Sequence, residues 1–199
     1  MTTKSDFSDT IPTQEIYEMD EGTPILYKGF RYGFTNFYEN EKTMPDSDYQ
    51  SWLKVEICFF LRLIFRNQKY VVTGGEHGLQ IKKYLWRGVD AAIFKKENFK
   101  LTNKYAKAPP EVVFEIDLKG DFDTPTKAKK DQDRKIKQLF EFGVKKIILI
   151  HTDNKEIRVI TPKKEETFNW DTNIPVIATT SINIQKIVDD YHESFDLEE

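Results

Sequence analysis

Residues 109–150 read PPEVVFEIDLKGDFDTPTKAKKDQDRKIKQLFEFGVKKIILI. Two short runs of β-branched and aromatic residues, 112–116 and 147–150, enclose a charged loop and a stretch in which Ile136, Leu139, Phe140 and Gly143 recur at helical spacing. Strand, helix and strand in that order predict a parallel crossover within a mixed sheet, and so an α/β fold. In the first strand Glu115, Asp117 and Lys119 alternate with Val112, Phe114, Ile116 and Leu118. Period-2 alternation then gives one packing face and one face carrying two carboxylates and an ammonium. Such a row is either solvated or gathered around a cation, and the second option is a nuclease-like metal site.

Composition bounds that reading. At 199 residues, with 39% apolar and 14% aromatic residues, the chain is long enough for one well-formed core and too short for two complete ones. Residues 1–22 are polar and without sustained period, and are expected to form a loose arm with a short helical turn near 15–19. Residues 23–199 are expected to form a single domain. No apolar run approaches the roughly 20 residues of a membrane span. A lone cysteine, Cys58, and a start without an apolar leader point to a reducing cytoplasmic location. The net charge of −3 argues against indiscriminate nucleic-acid binding. Basic residues are nevertheless concentrated, with Lys127, Lys129, Lys130, Arg134, Lys135 and Lys137 on one helix and Lys95, Lys96, Lys100, Lys104 and Lys107 on one connection. A basic surface beside an acidic pocket suits phosphodiester cleavage, because lysines neutralise phosphates while carboxylates hold a metal.

The remaining elements follow from pattern. TPILYKGFRYG (23–33) reads as an edge hairpin turning near Lys28–Gly29. Asp46 or Ser47 offers an N-cap for DYQSWLKVEICFFLRLIFRN (48–67), whose stripe is read as Trp52, Val55, Phe59, Phe60, Leu63 and Ile64. YVVTGG (70–75) and GLQIKK (78–83) read as strands around the Gly74–Gly75 punctuation, and GVDAAIF (88–94) as another. A turn at Asp153–Asn154, a strand after it, a short strand in NIPVIATTS (173–181) and a helix in INIQKIVDDYHE (182–193) complete the chain.

Asp90 lies within the apolar GVDAAIF run, a costly position for a carboxylate unless it is paired or holds a metal. Val89 and Ala91 would face the packed side if Asp90 opens to a cleft. With Glu115 and Asp117 it makes a set of hard oxygen donors suited to Mg²⁺ or Mn²⁺. Either Lys119, on the strand, or Lys135, flanking the helical stripe, can bring an ammonium to such a site. Glu76 follows two glycines and borders the cleft. His77, His151 and His192 show no zinc spacing, and neither a phosphate-cradling glycine motif nor a nucleophile elbow is present.

The succession GVDAAIF, PPEVVFEID and a helix ending KQLFEFGVKKIILI resembles the Uma-two family of endonucleases, within the PD-(D/E)xK restriction-endonuclease-like superfamily. The resemblance runs from about Thr23 to Pro162. It implies a mixed sheet flanked by helices with an N-terminal β-hairpin, and metal-dependent hydrolysis of nucleic acid, DNA foremost. By that resemblance Asp90 and Glu115 are the acids, and Lys135, eight residues before Gly143–Val144, is the helix-borne lysine. The chain departs from E-x-K by carrying Asp117 where lysine is usual, so Lys135 is favoured with Lys119 as rival. Glu56 corresponds to a further polar residue on the first long helix. The implied site is Asp90, Glu115 and Asp117 around Mg²⁺ or Mn²⁺, with Lys135 positioning water and Glu56 in the outer site. The alternative is a nuclease-fold module without turnover that binds nucleic acid or protein. Cutting both strands of a duplex favours a two-fold homodimer, for which Tyr27, Phe30, Tyr32, Phe34, Phe37 and Tyr38 supply an aromatic patch.

Overall fold

The computed structural model describes residues 16–27, 42–43, 46–66, 68–117 and 125–196. The first described strand, β1 (Ile16–Asp20), turns at Glu21–Gly22 into β2 (Thr23–Tyr27). Both turn residues have positive φ, +48° and +84°, the combination that lets a two-residue loop match strand twist. The N-terminal hairpin is therefore present but sits one strand earlier than expected. Residues 16–20 belong to the sheet and form neither an arm nor a helical turn. Residues 1–15 and the Lys28–Gly29 turn lie outside the described residues, as do Phe30, Tyr32, Phe34, Phe37, Tyr38, the Tyr27 side chain and Lys119.

After the two-residue strand β3 (Lys42–Thr43), helix α1 (Asp48–Phe65) starts at Ser47 with a reciprocal capping box. The Gln50 N–H donates to Ser47 Oγ at 3.2 Å, and the Ser47 N–H donates to Gln50 Oε1 at 2.9 Å. The helix is apolar on several sides, so its period admits more than one stripe. The stripe that reaches the core is Leu53, Ile57, Leu61 and Phe65, whereas Val55, Phe59 and Leu63 are more than half exposed. Trp52, Phe60 and Ile64 pack at its margin.

The glycine pair that looked like punctuation lies inside one long strand, β4 (Tyr70–Lys82), paired antiparallel with β5 (Leu85–Lys95). Strand β6 (Val112–Ile116), helix α2 (Pro125–Phe142) and β7 (Lys146–His151) are the predicted parallel crossover. Pro125 at the helix start needs no intrahelical donor. Gly143, at φ +116°, ends the helix: the Val144 N–H returns to the Leu139 carbonyl and the Gly143 N–H to that of Phe140. β8 (Glu156–Ile160) and β9 (Glu165–Asn169) extend the sheet antiparallel. The hairpin of β10 (Ile174–Ile177) and β11 (Thr180–Ile182) precedes α3 (Ile184–Asp196).

The sheet runs β3-β2-β1-β5-β6-β7-β8-β9, with β4 also on β5. It is mixed, mostly antiparallel and flanked by three helices. Leu53, Ile57, Phe114, Ile148 and Trp170 build a core with α1, the β10–β11 hairpin and α3. Val113, Leu139, Ile147 and Leu149 build a second core under α2. Both faces of β6 are thus covered, and Glu115 and Asp117 of the charged row are buried.

Candidate active site

Because β4 occupies one edge of β5 along its length, β1 and β6 must share the other edge. β1 meets it at Trp86 and β6 at Ala91–Ile93. Between these contacts the ladder parts, and carboxylates take the backbone donors it leaves. The Gly88 N–H donates to Glu18 Oε1 at 2.8 Å, and the Ile116 N–H donates to Asp90 Oδ2 at 2.7 Å. Across β5 the partner strand bulges: Gly74 pairs with Ala91 and His77 with Val89, so Gly75 and Glu76 together oppose Asp90. Both have positive φ, +76° and +56°. A bulge of this kind re-aims side chains and interrupts alternation. Val89 and Ala91 pack in different cores, against the expectation that they share a face.

A lysine approaches this gap from each side of the sheet. From α2, Lys135 Nζ lies 3.1 Å from Glu115 Oε1 and 3.3 Å from Glu18 Oε1; all three residues are buried. From α1, Lys54 Nζ lies 2.8 Å from Asp90 Oδ1 and 2.7 Å from Asp46 Oδ2. Burial raises the Glu115 carboxyl from 4.5 to about 8; Lys135 opposes the rise and Asp90 adds to it. Its Oε1 is buried without a well-aligned hydrogen bond, even with Lys135 so near. Burial lowers the Lys54 ammonium, but Asp90 and Asp46 together outweigh it and the net shift is upward. Glu76 faces the same charges: burial raises its carboxyl, Lys54 opposes that, and Asp90 and Asp46 reinforce it.

Behind Lys135 stands a buried ionic cluster. The Arg87 guanidinium, fully enclosed, donates to Glu18 Oε2 at 2.8 Å and to Gln138 Oε1 at 2.8 Å, and lies 3.2 Å from Asp20. Gln138 donates to Asp20 Oδ1 at 2.8 Å, and Arg134 pairs with Asp20 Oδ2 at 2.7 Å. Asp131, Arg134, Lys135 and Gln138 follow helical spacing, so one stripe of α2 is polar and turned to this cluster. Lys129, Lys130 and Lys137 are exposed, which divides the basic helix into a buried part and a solvated part.

The structure thus brings together Asp90, Glu115 and Lys135, and does not bring Asp117 or Glu56 to them. β6 ends at Ile116, and Asp117 takes φ +48°, a conformation aspartate tolerates better than most residues. Its Oδ1 accepts from the Thr152 N–H at 2.7 Å, and its Oδ2 accepts from Gln50 Nε2 at 2.8 Å and from the Thr152 hydroxyl. Asp117 ties the end of β6 to the turn after β7 and the start of α1. Glu56 is half-buried, two residues from Lys54 and so about 200° around the helix from it. Sequence reading missed Glu18, Lys54 and Arg87. For Arg87 a signal existed, since it interrupts the apolar run LWRGVDAAIF as Asp90 does. For Glu18 and Lys54 none did, because neighbours elsewhere in the chain decide their roles.

Beside Lys54 and Glu76 a groove of about 770 Å³ runs along α1, lined by Val55, Phe59, Arg62, Leu63 and Arg66. Gly74 forms part of its wall, and a Cβ there would stand 2.4 Å from Cys58 Sγ, which explains the close approach of bulge and helix. No helix among the described residues is long and apolar enough to cross a membrane.

No protein-family model and no curated protein matches the chain. Among solved structures it is similar to one described as "a putative nuclease belonging to DUF820 from Anabaena variabilis". The TM-score is 0.66 at 16% identity, covering 95% of this chain and 98% of that one. At this identity the likeness is one of fold.

Proposed function

We propose that the protein is a divalent-metal-dependent endonuclease of the PD-(D/E)xK type, related to the Uma-two family, that hydrolyses phosphodiester bonds of DNA. The observation carrying this reading is the parted β5–β6 ladder, where Asp90 and Glu115 converge with the Lys135 ammonium 3.1 Å from Glu115. Among the described residues no group of three or more acidic, histidine or cysteine side chains is arranged around a common point. Mg²⁺ does not require one, since it commonly uses one or two carboxylates and completes its shell with water and substrate oxygen. Glu115 Oε1, buried with the Lys135 ammonium 3.1 Å away, is a hard oxygen donor that such a cation would take.

Asp90 and Glu115 would hold the ion, which when bound supplies Lewis acidity toward the phosphate and acidifies a coordinated water. Lys135 donates toward the attacking water or the phosphate oxygen. Its aim is set by Glu18, itself fixed by Arg87 and the Gly88 N–H. Arg62 and Arg66 meet the phosphates of the flanking strand, and Phe59 offers a face for a base. A two-fold dimer, checked by light scattering, would present two such sites to a duplex.

The second reading, a nuclease-fold module without turnover, is favoured by one observation: a protein ammonium already neutralises Asp90. Labelled DNA incubated with Mn²⁺ and with chelator separates the two. Cleavage in Mn²⁺ that ceases in chelator is expected; cleavage indifferent to chelator, or none with Mg²⁺ or Mn²⁺, overturns the proposal.

A further inference from the structure

We infer that Lys54 is a resident cation of the Asp90 carboxylate, holding the place of a divalent ion at Oδ1 and withdrawing to Asp46 when that ion enters. This rests on the reading that Asp90 and Glu115 bind the ion. Asp90 has two oxygens, and Oδ2 is committed to the Ile116 N–H at 2.7 Å. The remaining oxygen faces the Lys54 ammonium at 2.8 Å, so an ion that takes Asp90 through Oδ1 competes with that ammonium for the oxygen. Asp46 provides the alternative partner. It already accepts from the same Nζ at 2.7 Å through Oδ2 and is the more exposed of the two acids. An unpaired ammonium in this half-buried position would be costly, and Asp46 removes the cost.

Lys135, the other ammonium at the gap, approaches Glu115 and Glu18 from α2. Lys54 instead lies on the side where the groove along α1 opens, together with Asp46 and Glu76. An ion and a phosphate entering by that groove would meet Lys54 first. The displaced ammonium would then stand beside the incoming phosphate, so ion entry and phosphate neutralisation are coupled through one side chain.

The consequence is measurable without turnover. Lys54→Met keeps the apolar stem and removes the charge, and calorimetric titration with Mn²⁺ is expected to show affinity raised by about tenfold or more, since the ion no longer breaks a charge-assisted hydrogen bond. Asp46→Asn is expected to weaken Mn²⁺ binding in the wild-type background and to do markedly less in the Lys54→Met background. A general field effect of Asp46 would instead be equal in both. If wild type binds Mn²⁺ and Lys54→Met binds it no more tightly, or the Asp46→Asn effect is equal in the two backgrounds, the inference fails while the metal reading stands. If neither wild type nor Lys54→Met binds millimolar Mn²⁺, both fail. Thermal melting of each variant without metal reports whether its fold is retained, and Lys54→Gln repeats the charge removal should the methionine variant not fold.

Discussion

Along β5, residues 91–93 and residues 86–90 treat the edge away from β4 in opposite ways. In the first segment the edge is zipped to β6, with Ala91, Ala92 and Ile93 paired to Phe114, Val113 and Val112, all buried apolar residues. In the second it is shared between β1 and a gap, and the buried residues include Arg87 and Asp90. A completed ladder satisfies its own donors and needs only apolar filling. A parted ladder leaves donors that carboxylates must accept, and those carboxylates then require cations. The candidate site is the place where the sheet does not close.

The difference can be broken at its strongest point. Asp90→Asn or Glu115→Gln is expected to reduce cleavage below detection with the fold retained, whereas Ile93→Ala, in the zipped segment, should cost about 2–5 kcal/mol of stability and spare activity per folded molecule. Circular dichroism melts beside a cleavage assay check both. Full activity in either acid variant would refute the assignment of the parted segment.

Next in size is the lysine. Lys135→Ala should lower turnover by roughly 10²-fold, and Lys119→Ala should do less. The opposite ranking in single-turnover cleavage would move the role from Lys135 to Lys119.

A smaller effect concerns stability and pH. The folded Glu115 carboxyl, raised from 4.5 to about 8, keeps a proton that the unfolded chain has released. Its contribution to stability is therefore complete below about 4.5, declines between 4.5 and about 8, and is flat above. Glu115→Gln should thus gain melting temperature over metal-free wild type at pH 8 and show little gain at pH 4.5. Equal gains at both would show that Glu115 does not titrate in this window. Smallest is the groove: Arg62→Ala should weaken DNA binding without Mn²⁺ and reduce the salt slope by about one. An unchanged slope would remove Arg62 from the path of the strand.

Much of this was legible in order and period. The crossover of residues 112–150 followed from two apolar runs around an amphipathic helix, and Asp90 and Glu115 were each conspicuous against apolar neighbours, whereas Lys135 lies among other charged residues and was singled out by the resemblance, eight residues before Gly143–Val144. Local geometry misled where alternation was assumed to continue. Asp117 stands two residues beyond Glu115, yet the strand ends before it and the left-handed turn sends its carboxylate to Gln50 and Thr152. α1 carries apolar residues on several sides, so only packing against the sheet chose Leu53, Ile57, Leu61 and Phe65 over Val55, Phe59 and Leu63. Element order and the identity of the out-of-place charges are properties of the sequence, because they depend on neighbours a few residues away. Which charges meet is decided by the tertiary structure: Glu18, Arg87 and Lys135 span three separate elements, and Lys54 reaches Asp90 only because a bulge and a parted ladder bring helix and strand together.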